Sequence, residues 1–290
     1  MTEIRLIIVP YEVGAPRMGV GRGPERLLEA GAREALASAG AKVEVEVVEL
    51  KEHERDRSGA SEAGAAFELI GLVACRVRQA LDDGAFPVLL SGSCFAGIGV
   101  VAGIAESSPG VIWFDAHGDF NTPESTVDGY FDGMGLAILT GAAWPTLVDG
   151  VGAATIPESA VVLAGARDFD ELEERRLDAS DVRRLPSADV DSDDAVARAA
   201  DQLEPAPTGL YVHVDLDVLD SDDAGVNIYS VPGGLSAAQL ESQVRALLDS
   251  HPVRALSLTA YDPEVDEDGR VPPIALGLLE AVAQRTARER

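Results

Sequence analysis

The sequence predicts an α/β protein whose parallel sheet is covered by helices on both faces. Three observations lead there. Apolar runs of strand length recur along the chain, helical patterns separate most of them, and residues able to do chemistry gather at the carboxyl ends of the runs. Strands that read as near-continuous apolar stretches are buried on both faces, which is the habit of a parallel sheet.

Each element has its own signal. Ile4 to Val9 is the first strand-like run. Gly21-Arg22-Gly23-Pro24 reads as a turn that sets Pro in the first helical turn, where its missing N–H is harmless, and opens a helix over Pro24 to Ser38. Val43 to Val48 follows as a strand, and Ala65 to Leu81 as a helix carrying Cys75, expected as a buried core thiol. Pro87 to Leu90 is the next strand, and it runs out through Ser91-Gly92-Ser93-Cys94 to Gly97, Gly99 and Gly103. These glycines lack the Lys of a phosphate loop and the G-x-G-x-x-G spacing, so close packing of a loop and helix on the sheet is the better reading. Val111 to Phe114, Ala160 to Ala164, Leu210 to Val214 and Ala255 to Ala260 complete the strands. Helices are expected over Ala195 to Leu203 and Ala237 to Leu248, the second opened by a capping box of Ser236 and Gln239. Asp189 to Asp194 reads as a solvated loop. With no repeat and no linker, residues 1–290 form one domain.

Composition excludes several classes. The net charge is −27, from 23 basic and 50 acidic side chains, a surface that repels nucleic acid and anionic membranes. Apolar runs are broken well short of a membrane span. Met1 to Arg5 enters a strand without the basic region of a signal peptide, so a cytoplasmic location is expected. Two cysteines make no disulfide framework, and His53 and His251 are expected at the surface.

The most informative stretch is Trp113-Phe114-Asp115-Ala116-His117-Gly118-Asp119, where Asp, His and Asp stand on alternate positions at the end of an apolar strand. A second cluster, His213, Asp215 and Asp217, ends the run from Leu210. Alternate residues of an extended segment share a face, and ligands of open α/β sheets gather beyond the carboxyl ends of strands. Clustered carboxylates among apolar residues are costly without a partner, which points to a divalent cation. Two such strands are able to hold two ions through shared carboxylates, the arrangement that activates water for hydrolysis.

The D-A-H-x-D-x-N-T-P motif at 115–123 and the D-x-D-x-x-D motif at 215–220 are joined by Gly14-Ala15-Pro16, Gly21-Arg22-Gly23-Pro24 and Val231-Pro232-Gly233-Gly234-Leu235. On these, over nearly its whole length, the chain resembles the ureohydrolase superfamily of arginases, agmatinases, guanidinobutyrases and formiminoglutamases. The resemblance implies a three-layer α/β/α fold with a mostly parallel, eight-stranded sheet. It also implies two divalent ions, manganese by family habit, and assembly into homotrimers or hexamers.

By that resemblance Asp115, His117, Asp119, Asp215 and Asp217 fall on five of six metal-ligand positions, with Asp119 and Asp215 bridging. Cys94 takes the sixth, where the family has His. A thiolate is softer than imidazole and favours Zn or Fe; the competing reading is a small packed thiol beside a weakened site. Asp132 stands where arginases carry a proton-shuttling His, and Ala260 where a Glu grips the guanidinium. Asp128 and Tyr130 replace Ser and Asn that hold a substrate carboxylate, while Asn121 is retained and Asp170 and Glu173 match positions that hold an α-amino group. His213 replaces a Ser. It is read as a substitute ligand, as a general base near neutral pH, or as a buried hydrogen-bonded His.

The expectation is a metal-dependent hydrolase of a C–N bond in a guanidino, amidino or related amine-bearing molecule. Its substrate is expected to be cationic, with modified arginines allowed, because the missing Glu argues against plain arginine. Asp119 with Asp132 or His213 would handle protons. The alternative is a non-catalytic relative acting as a binding or regulatory subunit. A metal-dependent deacetylase would need His-rich motifs that are absent.

Overall fold

The computed structural model describes residues 3–50, 59–104 and 109–288, with 59–61 as backbone only. His53 lies outside the described residues. Eight strands form one sheet: β1 (Glu3–Val9), β2 (Lys42–Val47), β3 (Phe86–Ser91), β4 (Gly110–Phe114), β5 (Val161–Ala164), β6 (Arg183–Leu185), β7 (Leu210–Asp215) and β8 (Val253–Thr259). Their order is β2-β1-β3-β8-β7-β4-β5-β6, and every neighbouring pair is parallel. The seven expected strands are present to within two residues at each end. β6 has no counterpart among the apolar runs, because it is a three-residue edge strand carrying Arg183 and Arg184. Charge on an edge discourages pairing with other chains.

Ten α-helices surround the sheet among the described residues. They are α1 (Gly23–Glu29), α2 (Ala32–Ala37), α3 (Gly59–Asp82), α4 (Ala96–Ile104), α5 (Gly135–Leu139), α6 (Pro145–Gly150), α7 (Glu171–Asp178), α8 (Ala195–Ala200), α9 (Ala237–Ser250) and α10 (Val271–Arg288). The single helix expected over Pro24 to Ser38 is two, because Gly31 takes a left-handed φ of 111° between them. Pro24 sits in the first turn of α1, and Ser236 with Gln239 caps α9 reciprocally, as expected.

Strand alternation divides the interior into two cores. Ile4, Leu6 and Ile8 of β1, Ile112 and Phe114 of β4, and Val212 and Val214 of β7 pack with α1, α2, α8, α9 and α10. Ile7, Val9, Val111, Trp113 and Tyr211 face the opposite way, toward α3 to α7. Gly99 and Gly103 let α4 lie directly on α3. A Cβ on Gly99 would stand 2.6 Å from the Ile70 carbonyl oxygen, and one on Gly103 2.6 Å from Val77 Cβ. The packing reading of these glycines therefore holds. The expected burial of Cys75 does not: it lies on the outward face of α3 and is exposed. His251 is half-buried, not exposed, and meets Asp201 and Ser250 through its two ring nitrogens.

Candidate metal centre

The sheet places the polar cluster by parity. Trp113 and Asp115, and Ser257 and Thr259, are two residues apart, and Tyr211, His213 and Asp215 follow at the same spacing, at neighbouring strand ends and all on the α3–α4 side. Beyond Phe114 alternation no longer applies. His117 and Asp119 belong to the loop after β4, and Asp119 returns to the cluster because its backbone turns left-handed at φ 50°. Asp tolerates that region better than most residues. Asp217 likewise lies in a 3₁₀ turn, Leu216–Val218, whose N-cap Asp215 accepts a 2.8 Å bond from the Asp217 N–H. The expectation of convergence holds, but two turns produce it as much as the pleat does.

The contacts are dense. Asp115 accepts from Trp113 Nε1 at 3.0 Å and from the His117 N–H at 2.8 Å. His117 Nδ1 lies 3.3 Å from Asp115 Oδ1 and 3.4 Å from Asp217 Oδ2. Asp217 also accepts from the Ala116 N–H at 3.2 Å and from Asn227 Nδ2 at 3.2 Å. The Cys94 thiol donates to Asp215 Oδ2 at 2.9 Å and is 3.1 Å from Thr259 Oγ1.

Four carboxylates are thus buried together, and their like charges repel. Burial first, then neighbouring carboxylates, push Asp115, Asp119 and Asp215 above the ordinary carboxyl value. Burial and the same anions push the Cys94 thiol well up. For His117 burial opposes ionisation, but the bond to Asp115 and the charges of Asp217 and Asp115 outweigh it and raise the imidazole to about 9. Asp119 Oδ2 is buried with no hydrogen-bond partner, an expense of about 1–3 kcal/mol for an ordinary polar group. A divalent cation resolves all of these features. Two residue sets bring ligand atoms within 4.8 Å of one another: Asp115, His117 and Asp217, and Cys94, Asp115 and His213. Carboxylate, imidazole and thiol are donors that divalent metals accept, so the residues fit the ions.

A cavity of about 450 Å³ opens above the cluster. Cys94, His117, Asp119, Asn121, Asp128, Tyr130, Asp132, Asp170, Glu173, Asp215 and Asp217 reach its wall; Asp115 and His213 do not. Asn121 Nδ2 donates to Asp170 Oδ2 at 3.1 Å. Asp132 accepts from the Cys94 and Phe95 N–H groups at 3.1 and 3.0 Å, so it fixes the Cys94 turn; burial nonetheless raises it to about 7. Glu173 accepts from the Phe120 and Asp170 N–H groups, caps α7 reciprocally with Asp170, and is raised by burial to about 7.

His213 corrects one expectation. It is fully buried beneath the cavity floor, stacked on Trp113 with centroids 3.6 Å apart and planes 13° apart. Burial holds it well below its ordinary value, so it does not face a substrate as a general base. Gly97 makes the room: a Cβ there would stand 2.7 Å from the Tyr211 hydroxyl and 3.0 Å from His213 Nδ1.

The structure adds residues that sequence reasoning missed. Asn227, in the long loop after β7, ties Asp217 to the Ala260 carbonyl oxygen (2.9 Å), and no periodicity marks it. Trp113 was legible in principle, since it stands two residues before Asp115 on the same face.

Fold and centre together define a hydrolase of the arginase family. The family model matches residues 2–283, and the chain belongs to that family. Members depend on a binuclear metal site. The arginase of Bacillus caldovelox is 30% identical over 292 residues, covering 96% of this chain and 97% of its own. Its crystal structure at pH 5.6 superposes with a TM-score of 0.87 over 97% of this chain and 98% of its own, at 28% identity. The arginase of Bacillus subtilis does so with a TM-score of 0.86, at 28% identity and the same coverage.

Proposed function

We propose that the protein hydrolyses a C–N bond in a small cationic guanidino, amidino or related amine-bearing compound other than unmodified L-arginine. The cavity wall carries this reading. It presents eight carboxylates and no Lys or Arg, while Ala260 lines it without a polar side chain. A cation suits such a wall and an anion does not. A guanidinium finds no bidentate carboxylate at residue 260, the strongest way to hold it.

Asp115, His117, Asp119, Asp215 and Asp217, with Cys94, would hold two divalent ions, manganese suiting the oxygen-rich part. The ions would lower the pKa of water and polarise the carbon under attack. Asp119, with one oxygen toward the ions, would accept a hydrogen bond from the attacking water through the other. Asp132, raised to about 7, is matched to passing a proton to the leaving amine near neutral pH. Asp128 and the Asn121–Asp170 pair line the outer wall and hold the substrate's cationic end. Assembly into homotrimers or hexamers belongs to the same proposal.

The test is hydrolysis of a panel of guanidino and amidino compounds, N-hydroxylated arginines included, by protein stripped with chelator and reloaded with Mn²⁺, Zn²⁺ or Co²⁺. Release of urea, ammonia or amine from a cationic member supports the reading. Loaded protein inert toward the whole panel would sink it in favour of a non-catalytic binding subunit.

A further inference from the structure

We infer that one of the two metal positions in this chain is built on Cys94, Asp115 and His213, an imidazole entering from β7 beneath the sheet edge, and that it selects a thiophilic ion over Mn²⁺. The inference rests on the metal-dependent reading above and deepens it, by assigning His213 and the preference of one position.

Three observations converge on it. The three side chains are 3%, 1% and 0% exposed, and their ligand atoms all lie within 4.8 Å of one another. The imidazole is held as a ligand should be. Its Nδ1 lies 3.0 Å from both the Tyr211 hydroxyl and Ser257 Oγ. Its plane is clamped by Trp113, whose own Nε1 orients Asp115. With the proton on Nδ1 and shared with those hydroxyls, Nε2 is the acceptor, and a metal would take its lone pair from the Thr259 hydroxyl. Nε2 looks toward Thr259 Oγ1 at 3.3 Å, the atom that also touches Cys94 Sγ. A hydrogen bond at the distal nitrogen is what fixes the tautomer and raises the basicity of a ligating imidazole.

The chemistry then sets the preference. A thiolate and an imidazole beside a carboxylate suit Zn²⁺, Co²⁺ or Fe²⁺, whereas Asp115, His117 and Asp217 form an oxygen-rich set that suits Mn²⁺. Binding at the first set displaces the thiol proton now donated to Asp215, so uptake there releases a proton to solvent. The protein would take two unlike ions.

Chelator-stripped protein titrated with Co²⁺ tests this without any assay of activity. Cobalt X-ray absorption of the wild type should show one sulfur ligand, and the near-ultraviolet spectrum a thiolate-to-cobalt charge-transfer band. Cys94→Ser should abolish the band. His213→Gln should weaken Co²⁺ binding at that position at least about tenfold, the scale of ligand-support losses. Mn²⁺ affinity at the other position should be unchanged. Two bound ions with no sulfur ligand, or His213→Gln binding Co²⁺ as the wild type does, would overturn the inference and leave the hydrolase reading intact. A wild type that binds no ion would overturn both.

Discussion

Asp119→Asn should act with opposite signs on the metal-free and the metal-loaded protein. In the metal-free protein Asp119 is a liability. Its Oδ2 is buried and unpartnered, and burial with the charges of Asp115, Asp132, Glu173 and Asp217 raises its carboxyl well above 3.8. Near neutral pH the side chain must either keep a buried charge or take up a proton to fold. Asn does neither, offers N–H donors to the surrounding anions, and tolerates the left-handed backbone as Asp does. The unpaired oxygen alone is worth about 1–3 kcal/mol, so the metal-free variant should be more stable than the wild type by that much. The pH dependence separates this from the general repulsion of an acidic protein. A carboxyl raised on folding contributes stability that is full below its unfolded value of 3.8 and is lost as pH rises through the folded value. The variant's advantage should therefore be small near that pH and grow toward neutrality. With metal the order should reverse, because the variant removes a proposed ligand. An ion at a hundred times its Kd stabilises by about 2.7 kcal/mol, and the variant should forfeit much of this. Urea denaturation with chelator and with added Mn²⁺ or Co²⁺, at mildly acidic and neutral pH, measures all of these quantities. A metal-free variant less stable than the wild type, or a gap that ignores pH, would refute the reasoning about the orphaned oxygen. Undiminished metal stabilisation would remove Asp119 from the ligands.

Three further outcomes are expected. L-arginine should yield little urea even with Mn²⁺ present, and Ala260→Glu should raise the rate; rapid turnover by the wild type would show that residue 260 does not decide guanidinium recognition. One thiol per chain should react promptly with a disulfide reagent in the native state, and Cys75→Ser should abolish that reaction, because Cys75 is exposed and Cys94 is 3% exposed. Gly103→Ala should destabilise by about 1–3 kcal/mol in urea, as overpacking does, because its Cβ would stand 2.6 Å from Val77 Cβ and 2.9 Å from the Ala74 carbonyl oxygen; an unchanged midpoint would mean that α3 and α4 part easily.

Much of this was legible in the sequence, for identifiable reasons. Buried parallel strands announce themselves as apolar runs, so seven of the eight were readable, while Arg183–Leu185 was hidden by carrying the charges that an edge permits. Parity along β7 was readable too, and it put His213 with Asp215 on one face. Alternation was also read past the strand ends to Asp119 and Asp217, where it no longer applies; the backbone that delivers those two, a left-handed residue and a 3₁₀ turn, leaves no periodic trace. Cys75 misled because hydrophobic neighbours on a helix do not reveal which way a single position points. The burial of His213 was one of three readings left open by the sequence, and the choice between them depends on Gly97, more than a hundred residues away in the chain and in contact only after folding. Asn227 was out of reach for the same reason.

The Gly97 contact also sets what the chain tolerates at that position. A methyl group there would stand 2.7 Å from the Tyr211 hydroxyl and 3.0 Å from His213 Nδ1. Replacing His213 alone leaves the Tyr211 hydroxyl in the way. Position 97 is locked to glycine by two buried side chains at once, so no single substitution at either of them frees it.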